Sequence, residues 1–79
     1  MADYKKILSH IAGSLVDKPE EVVVLLADET DDTITLELSV APEDMGKVIG
    51  KHGKIAKAIR AVMKSAANAD GKKINVDIK

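Results

Sequence analysis

The chain of 79 residues has no cysteine, tryptophan or phenylalanine, and Tyr4 is its single aromatic residue. Without cysteine there are no disulfides and no thiolate metal ligands, which agrees with a reducing cytoplasm. Proteins that stack unpaired bases on aromatic side chains need several of them, so this sequence excludes that way of binding nucleic acid. No apolar run approaches the roughly 18 residues of a membrane-spanning helix. We therefore expect a cytoplasmic protein.

Residues suited to catalysis or metal binding are also scarce. Ser9 and His10 are neighbours on a predicted helix and point in different directions, so they form no pair of nucleophile and base. His52 has no cysteine or second histidine near it in the sequence, which argues against a metal site. We predict neither an enzyme nor a protein with a metal or other cofactor.

The net charge of −1 conceals a strong segregation of charge along the chain. Residues 1–44 contain eleven acids and three bases, whereas residues 45–69 contain six bases and no acid. Those six bases are Lys47, Lys51, Lys54, Lys57, Arg60 and Lys64. A solvated, lysine-rich helix face is the ordinary explanation, and a surface for a polyanion is the alternative.

Hydrophobic spacing and turn residues predict an α+β domain over residues 1–79. The predicted order is helix 3–17, strand 21–28, strand 33–40, a short helix from Pro42 to Ile49, helix 54–69 and strand 74–79. The polar turn at residues 28–32 makes the first two strands an antiparallel hairpin. Three helices would cover one face of a three-stranded sheet. The long helix would bury Ile55, Ala58, Ile59, Val62, Met63 and Ala66.

The most informative segment is the loop Gly50-Lys51-His52-Gly53, called the GxxG loop below, which joins the two later helices. Two glycines allow a tight turn that another backbone can approach closely. Its amides, together with the N-terminus of the following helix, can hold phosphates. Lys51, Lys54 and His52 add charge and hydrogen-bond donors, and flanking aliphatic residues provide a surface for bases. A plain turn between helices is the alternative.

In this helical context the loop resembles the GXXG loop of KH domains, which holds about four nucleotides by their backbone. The order of elements is similar to the type II, bacterial arrangement (α-β-β-α-α-β), and the whole chain resembles the stand-alone bacterial KhpA (YlqC) family. The resemblance implies an RNA-binding site at Val48, Ile49, Gly50, Lys51, His52, Gly53, Lys54 and Ile55. We add Lys47 and Lys57, because their charges raise the local positive potential. It also implies a facing wall at a sheet edge, which we assign to the strand at residues 36–40.

The same resemblance implies a role as an RNA chaperone or post-transcriptional regulator. Members of this family are expected to self-associate or to pair with a KhpB/Jag-family KH protein. The residues give a separate reason to expect a partner, because Val22–Leu26 is apolar at five consecutive positions instead of alternating. Either the first helix covers this strand or another chain does.

Two other functions remain open from the sequence. The chain could be a protein-interaction module that pairs with another KH protein and contacts RNA only weakly. It could also bind single-stranded DNA, because no residue in the loop has an obvious role in reading a 2′-hydroxyl group.

Overall fold

The computed structural model describes residues 3–79, so the first two residues of the predicted domain lie outside it. The helices are α1 (Tyr4–Gly13), α2 (Met45–Ile49) and α3 (Lys54–Ala69), and the strands are β1 (Val23–Glu29), β2 (Thr33–Ser39) and β3 (Lys73–Ile78). Short 3₁₀ turns at Pro19–Glu21, Pro42–Asp44 and Lys51–Gly53 connect them. None of the helices in this range has the length and apolarity that crossing a bilayer requires.

The three strands form one mixed sheet in the order β1-β2-β3. The predicted hairpin is confirmed, since β1 and β2 are antiparallel, while β3 lies parallel to β2 with Leu36 opposite Val76. Along β2 buried residues alternate with half-buried ones, so the helices cover a single face of the sheet. The predicted α+β fold is therefore confirmed.

The long helix α3 has the predicted bounds but presents a slightly different face to the core. Its buried residues are Ala56, Ile59, Met63 and Ala67. Ala58 and Val62 were predicted to be buried, yet both are exposed, Val62 by 51%. The spacing predicted a stripe that includes Ala58 and Val62, whereas the buried face is rotated towards Ala56 and Ala67, and the helix packs against α1, α2 and β3.

Helix α1 ends at Gly13, four residues earlier than predicted. The amide of Leu15 bonds to the carbonyl of Ala12 at 3.0 Å, so the last turn tightens and the chain leaves the helix axis. Glycine is a poor helix former, which favours the end at this position. Val16 still packs against the core, although it lies outside the helix.

Asp44 is the one charged side chain among residues 3–79 that is fully buried. Its carboxylate accepts hydrogen bonds from the amides of Asp17 at 3.3 Å and Lys18 at 3.0 Å, and the Nζ atom of Lys47 lies 3.6 Å away. The segment after α1 is thereby tied to the start of α2. This contact fixes the position of the short helix that leads into the GxxG loop.

A second polar contact joins the two ends of the helical layer. The Tyr4 hydroxyl, at the start of α1, donates a hydrogen bond to the carboxylate of Asp70 at the end of α3. That hydrogen bond, together with burial, raises the pKa of Tyr4 to about 12, so the phenol stays protonated at neutral pH. The only aromatic residue therefore belongs to the core and is not a stacking platform for bases.

Replacing Asp44 by alanine should destabilise the fold strongly, because two backbone amides lose their buried acceptor and Lys47 loses a partner. We expect Asp44→Ala to lower the free energy of unfolding in urea by about 2–4 kcal/mol. Glu43→Ala is the matched control, since the neighbouring Glu43 is exposed and its ion pair with Lys18 is on the surface. Equal stability of the two variants would contradict this role for Asp44.

Candidate nucleic-acid interface

The GxxG loop takes backbone conformations that L-residues rarely adopt. Helix α2 ends at Ile49, and Gly50 follows with φ 74° and ψ 176°, a combination found essentially only for glycine. His52 has φ 57° and ψ 26°, and Gly53 has φ 74° and ψ 15°, so both are left-handed. The chain reverses here within three residues, which turns the side chains of Lys51 and His52 outward into solvent.

The two glycines are required for different reasons. A Cβ atom on Gly50 would lie 2.5 Å from Cγ1 of Ile55, in the first turn of α3, so no side chain fits there. A Cβ atom on Gly53 would meet nothing within 4 Å. Gly50 therefore closes the loop against α3, while the surface at Gly53 is open to another molecule.

The loop uses some of its amides internally and leaves others free. The Gly50 amide donates to the carbonyl of Gly46 at 2.9 Å, and the Gly53 amide donates to that of Gly50 at 3.2 Å. Within residues 3–79, the amides of Lys51 and His52 have no acceptor. We had expected the Gly53 amide to hold phosphate too, and this expectation is wrong because the turn itself uses that donor.

Most of the predicted site residues lie around this opening. The side chains of Lys51, His52, Lys54 and Lys57 are exposed, and Ile49 and Ile55 add apolar surface on either side. Val48 is a correction, because it is fully buried and supports the loop from beneath instead of lining the groove. Val48 points inward because it is the side chain through which the short helix α2 packs into the core.

Lys47 lies on α2, and its ammonium group already has two acidic partners. It forms ion pairs with Asp17 and, at 3.6 Å, with Asp44. The hydrogen bond to Asp17 in particular raises the pKa of Lys47. Its positive charge is thus largely balanced within the fold, unlike the charges of Lys51 and Lys54, for which no ion pair is present in the described residues.

Beyond the loop, a recess of about 540 Å³ lies beside α3 at the β3 edge of the sheet and is called the basic groove below. It is lined by two bases, Arg60 and Lys64, by one acid, Asp77, and by Thr35, Ile74, Asn75 and Val76. The Arg60 Nε atom donates to the carbonyl of Val76 at 3.1 Å and so spans the groove. Arg60 and Lys64 were not among the predicted site residues, although they follow Lys57 at the spacing of one helix face.

The predicted facing wall, the strand at residues 36–40, is also corrected. That strand corresponds to β2, which is flanked by β1 on one side and by β3 on the other, so it is not a sheet edge. The edge that faces α3 is β3, because the parallel β2–β3 connection passes through α3 and returns the chain to that side.

A family model described as the KH domain of KhpA/KhpB matches residues 5–78. The chain belongs to this family. The protein named RNA-binding protein KhpA from Clostridium perfringens is 58% identical over 76 residues, which cover 94% of this chain and 97% of that one. The protein of the same name from Chlamydia trachomatis is 46% identical and covers 94% of both chains.

The KhpA/KhpB fold also has a counterpart among solved structures. A crystal structure of Era from Aquifex aeolicus superposes with a TM-score of 0.70 at 18% sequence identity. The match covers 95% of this chain but 29% of Era, so the chain corresponds to under a third of that protein. At this level of identity the comparison shows a shared fold.

The two glycines of the GxxG loop should respond differently to alanine. Gly50→Ala combines a steric clash with a forbidden backbone conformation, so we expect a loss of about 3 kcal/mol or more in urea unfolding. Gly53→Ala should lower the free energy of unfolding by only about 1 kcal/mol, because alanine would have to adopt a left-handed conformation but would meet no clash. Gly46→Ala, inside α2 and free of neighbours, is the control and should be neutral or stabilising. Equal losses at Gly50 and Gly53 would contradict the contact with Ile55.

Proposed function

We propose that this chain binds single-stranded RNA by its sugar–phosphate backbone through the GxxG loop. The observation that carries this proposal is the pair of free amides at Lys51 and His52, beside the open surface of Gly53. Both lie in a segment with six bases and no acid. Backbone amides in such a turn bind anions, and the neighbouring lysines strengthen the attraction.

Unpaired bases would lie against the aliphatic surface next to the loop. Ile49 is exposed by 37%, and Ile55 is half-buried beside Gly50. Lys57, Arg60 and Lys64 lie on one face of α3, and Arg60 and Lys64 line the basic groove. The RNA strand would run from the loop along this helix, with its phosphates near the lysines.

The names of the relatives support RNA as the ligand, since the curated KhpA proteins are called RNA-binding proteins. A grip on the backbone tolerates many sequences, as an RNA chaperone or a post-transcriptional regulator requires. The cytoplasm is the compartment that we propose for this activity. We propose no catalytic step, since an amide cradle and exposed lysines supply binding and not a nucleophile with its base.

Reversing the charge of the loop should abolish RNA binding without unfolding the chain. We expect Lys51→Asp with His52→Asp to weaken binding of a short oligouridylate about a hundredfold or more, because two carboxylates beside the amides would repel the phosphates. Aspartate tolerates the left-handed conformation of His52, so circular dichroism should not change. Fluorescence anisotropy measures the affinity.

The matched control is Lys5→Asp with His10→Asp, which changes the same residue types on exposed positions of α1. This control should bind RNA nearly as well as the unchanged chain. Normal binding by the loop variant would show that the loop is not the site. Equal affinity for oligodeoxythymidylate would extend the ligand to single-stranded DNA. Weak binding to both would favour the protein-interaction module.

We further propose that the chain dimerises, either with a second copy or with the KH domain of a KhpB/Jag-family protein. An apolar groove of about 300 Å³ lies between α1 and α3, lined by Ile11, Leu15, Lys54, Ile55, Ala58, Ile59 and Val62. Leu15 and Val62 are 39% and 51% exposed, respectively, an unusual exposure for large aliphatic side chains in one groove. Pairing two loops would raise RNA avidity without new contacts, with Lys54 and Ile55 lying where this groove borders the proposed RNA site.

A charge placed in this groove should prevent dimerisation. We expect Ala58→Glu to shift the chain towards monomer in sedimentation velocity, because the new carboxylate would be buried without a partner. Ala61→Glu is the control, since Ala61 is exposed on the same helix but does not line the groove. A strict monomer in the unchanged chain would remove the homodimer. Pairing with a KhpB-type domain would then be tested by mixing the two.

A further inference from the structure

Strand β1 is an edge of the sheet with nothing paired along its outer side. The sheet order places β2 on one side of β1 and no strand on the other. Within residues 3–79, the backbone of residues 23–29 makes no hydrogen bond outside its ladder with β2. An edge of this kind presents a row of free amides and carbonyls that a further strand can use.

This edge has little of the protection that sheet edges usually have. Val23–Leu26 contains no lysine or proline, and only a bulge between Leu26 and Asp28 interrupts its register. Leu25, on the uncovered face, is 52% exposed, and Leu26, on the helical face, is 46% exposed. Helix α1 therefore covers this strand only in part. The sequence had left two explanations for the apolar run, and coverage by the first helix alone does not account for it.

Acidic residues bracket the apolar part of the edge at both ends. Glu20 and Glu21 precede it, and Asp28 and Glu29 follow it. Residues 19–46 contain nine acids and no base. The neighbouring Lys18 already pairs with Glu21 at 3.9 Å and with Glu43 at 3.3 Å, while Lys5 lies near Leu26 and Glu29 in a small recess.

This charge pattern argues against a second copy of the chain on the edge. Antiparallel pairing of two β1 strands, centred on Val24 and Leu25, would place Glu21 opposite Asp28 at both ends, and like charges at such positions are destabilising. The other edge, β3, is protected because Arg60 donates to the carbonyl of Val76. The lysines at the ends of β3, Lys73 and Lys79, would match β1 in charge, but the side chain of Arg60 already occupies the middle of that edge, so we do not assign it to β1.

We infer that the β1 edge binds an extended segment of a different protein, with apolar residues at its centre and lysine or arginine at both ends. Main-chain hydrogen bonds would extend the sheet by one strand, as in other cases of strand addition. The basic ends would meet Glu20 and Glu21 on one side and Asp28 and Glu29 on the other. This surface is separate from the GxxG loop, so a partner and RNA could be bound together.

Two synthetic peptides test this inference. The first is Lys-Lys-Val-Thr-Val-Thr-Val-Lys-Lys, and the second has glutamate in place of each lysine. In ¹H–¹⁵N spectra of the unchanged chain, we expect the lysine peptide to shift the amides of residues 23–29. The glutamate peptide should bind at least about tenfold more weakly, because the four glutamates at its two ends would face acids.

A charge-swapped variant provides the matched control. Glu20→Lys with Asp28→Lys changes two exposed side chains that make no ion pair among the described residues. This variant should lose the preference for lysine ends, because each end of the edge then carries one base and one acid. The variant Lys51→Asp with His52→Asp should bind the lysine peptide normally, which separates this inference from RNA binding.

Three results would overturn the inference. Both peptides could leave residues 23–29 unshifted, or the charge swap could leave the preference for lysine ends unchanged. Self-association that Leu25→Lys abolishes would instead show that a second copy occupies the edge.

Discussion

The close contact between Gly50 and Ile55 is the constraint on which the site depends. Because a Cβ atom at Gly50 would lie 2.5 Å from Ile55, the chain can turn directly from α2 into α3 only with glycine there. The turn uses the amides of both glycines and leaves those of Lys51 and His52 without an acceptor among the described residues. The loop is therefore held by its own hydrogen bonds before any ligand arrives, which lowers the entropy lost on binding.

The rest of the fold supports this loop and separates the charges around it. The buried carboxylate of Asp44 fixes α2 against the segment after α1 and pairs with Lys47. Helix α3 carries the remaining bases from the loop towards the β3 edge. The acids lie mainly in the hairpin and in the segments flanking it, so one small domain presents a basic surface and an acidic surface. A net charge near zero therefore does not prevent binding of a polyanion.

The sequence was sufficient to predict the order of elements, the hairpin and the bounds of α3, because each depends on local periodicity. It also located the GxxG loop, since two glycines around Lys-His are a local signal. It did not predict that Val48 is buried or that β3 is the edge facing α3, because these depend on how distant elements pack. The partners of Lys47 were missed for the same reason, as Asp17 lies 30 residues away.

The central claim is that the free amides of Lys51 and His52 bind RNA phosphates. The most direct measurement is a ¹H–¹⁵N titration of the labelled chain with a short oligouridylate, followed residue by residue. RNA binding through the loop predicts the largest shifts at Lys51 and His52, smaller ones along the α3 face towards Lys64, and none in β1. Shifts centred elsewhere, with these two amides unchanged at saturation, would contradict it.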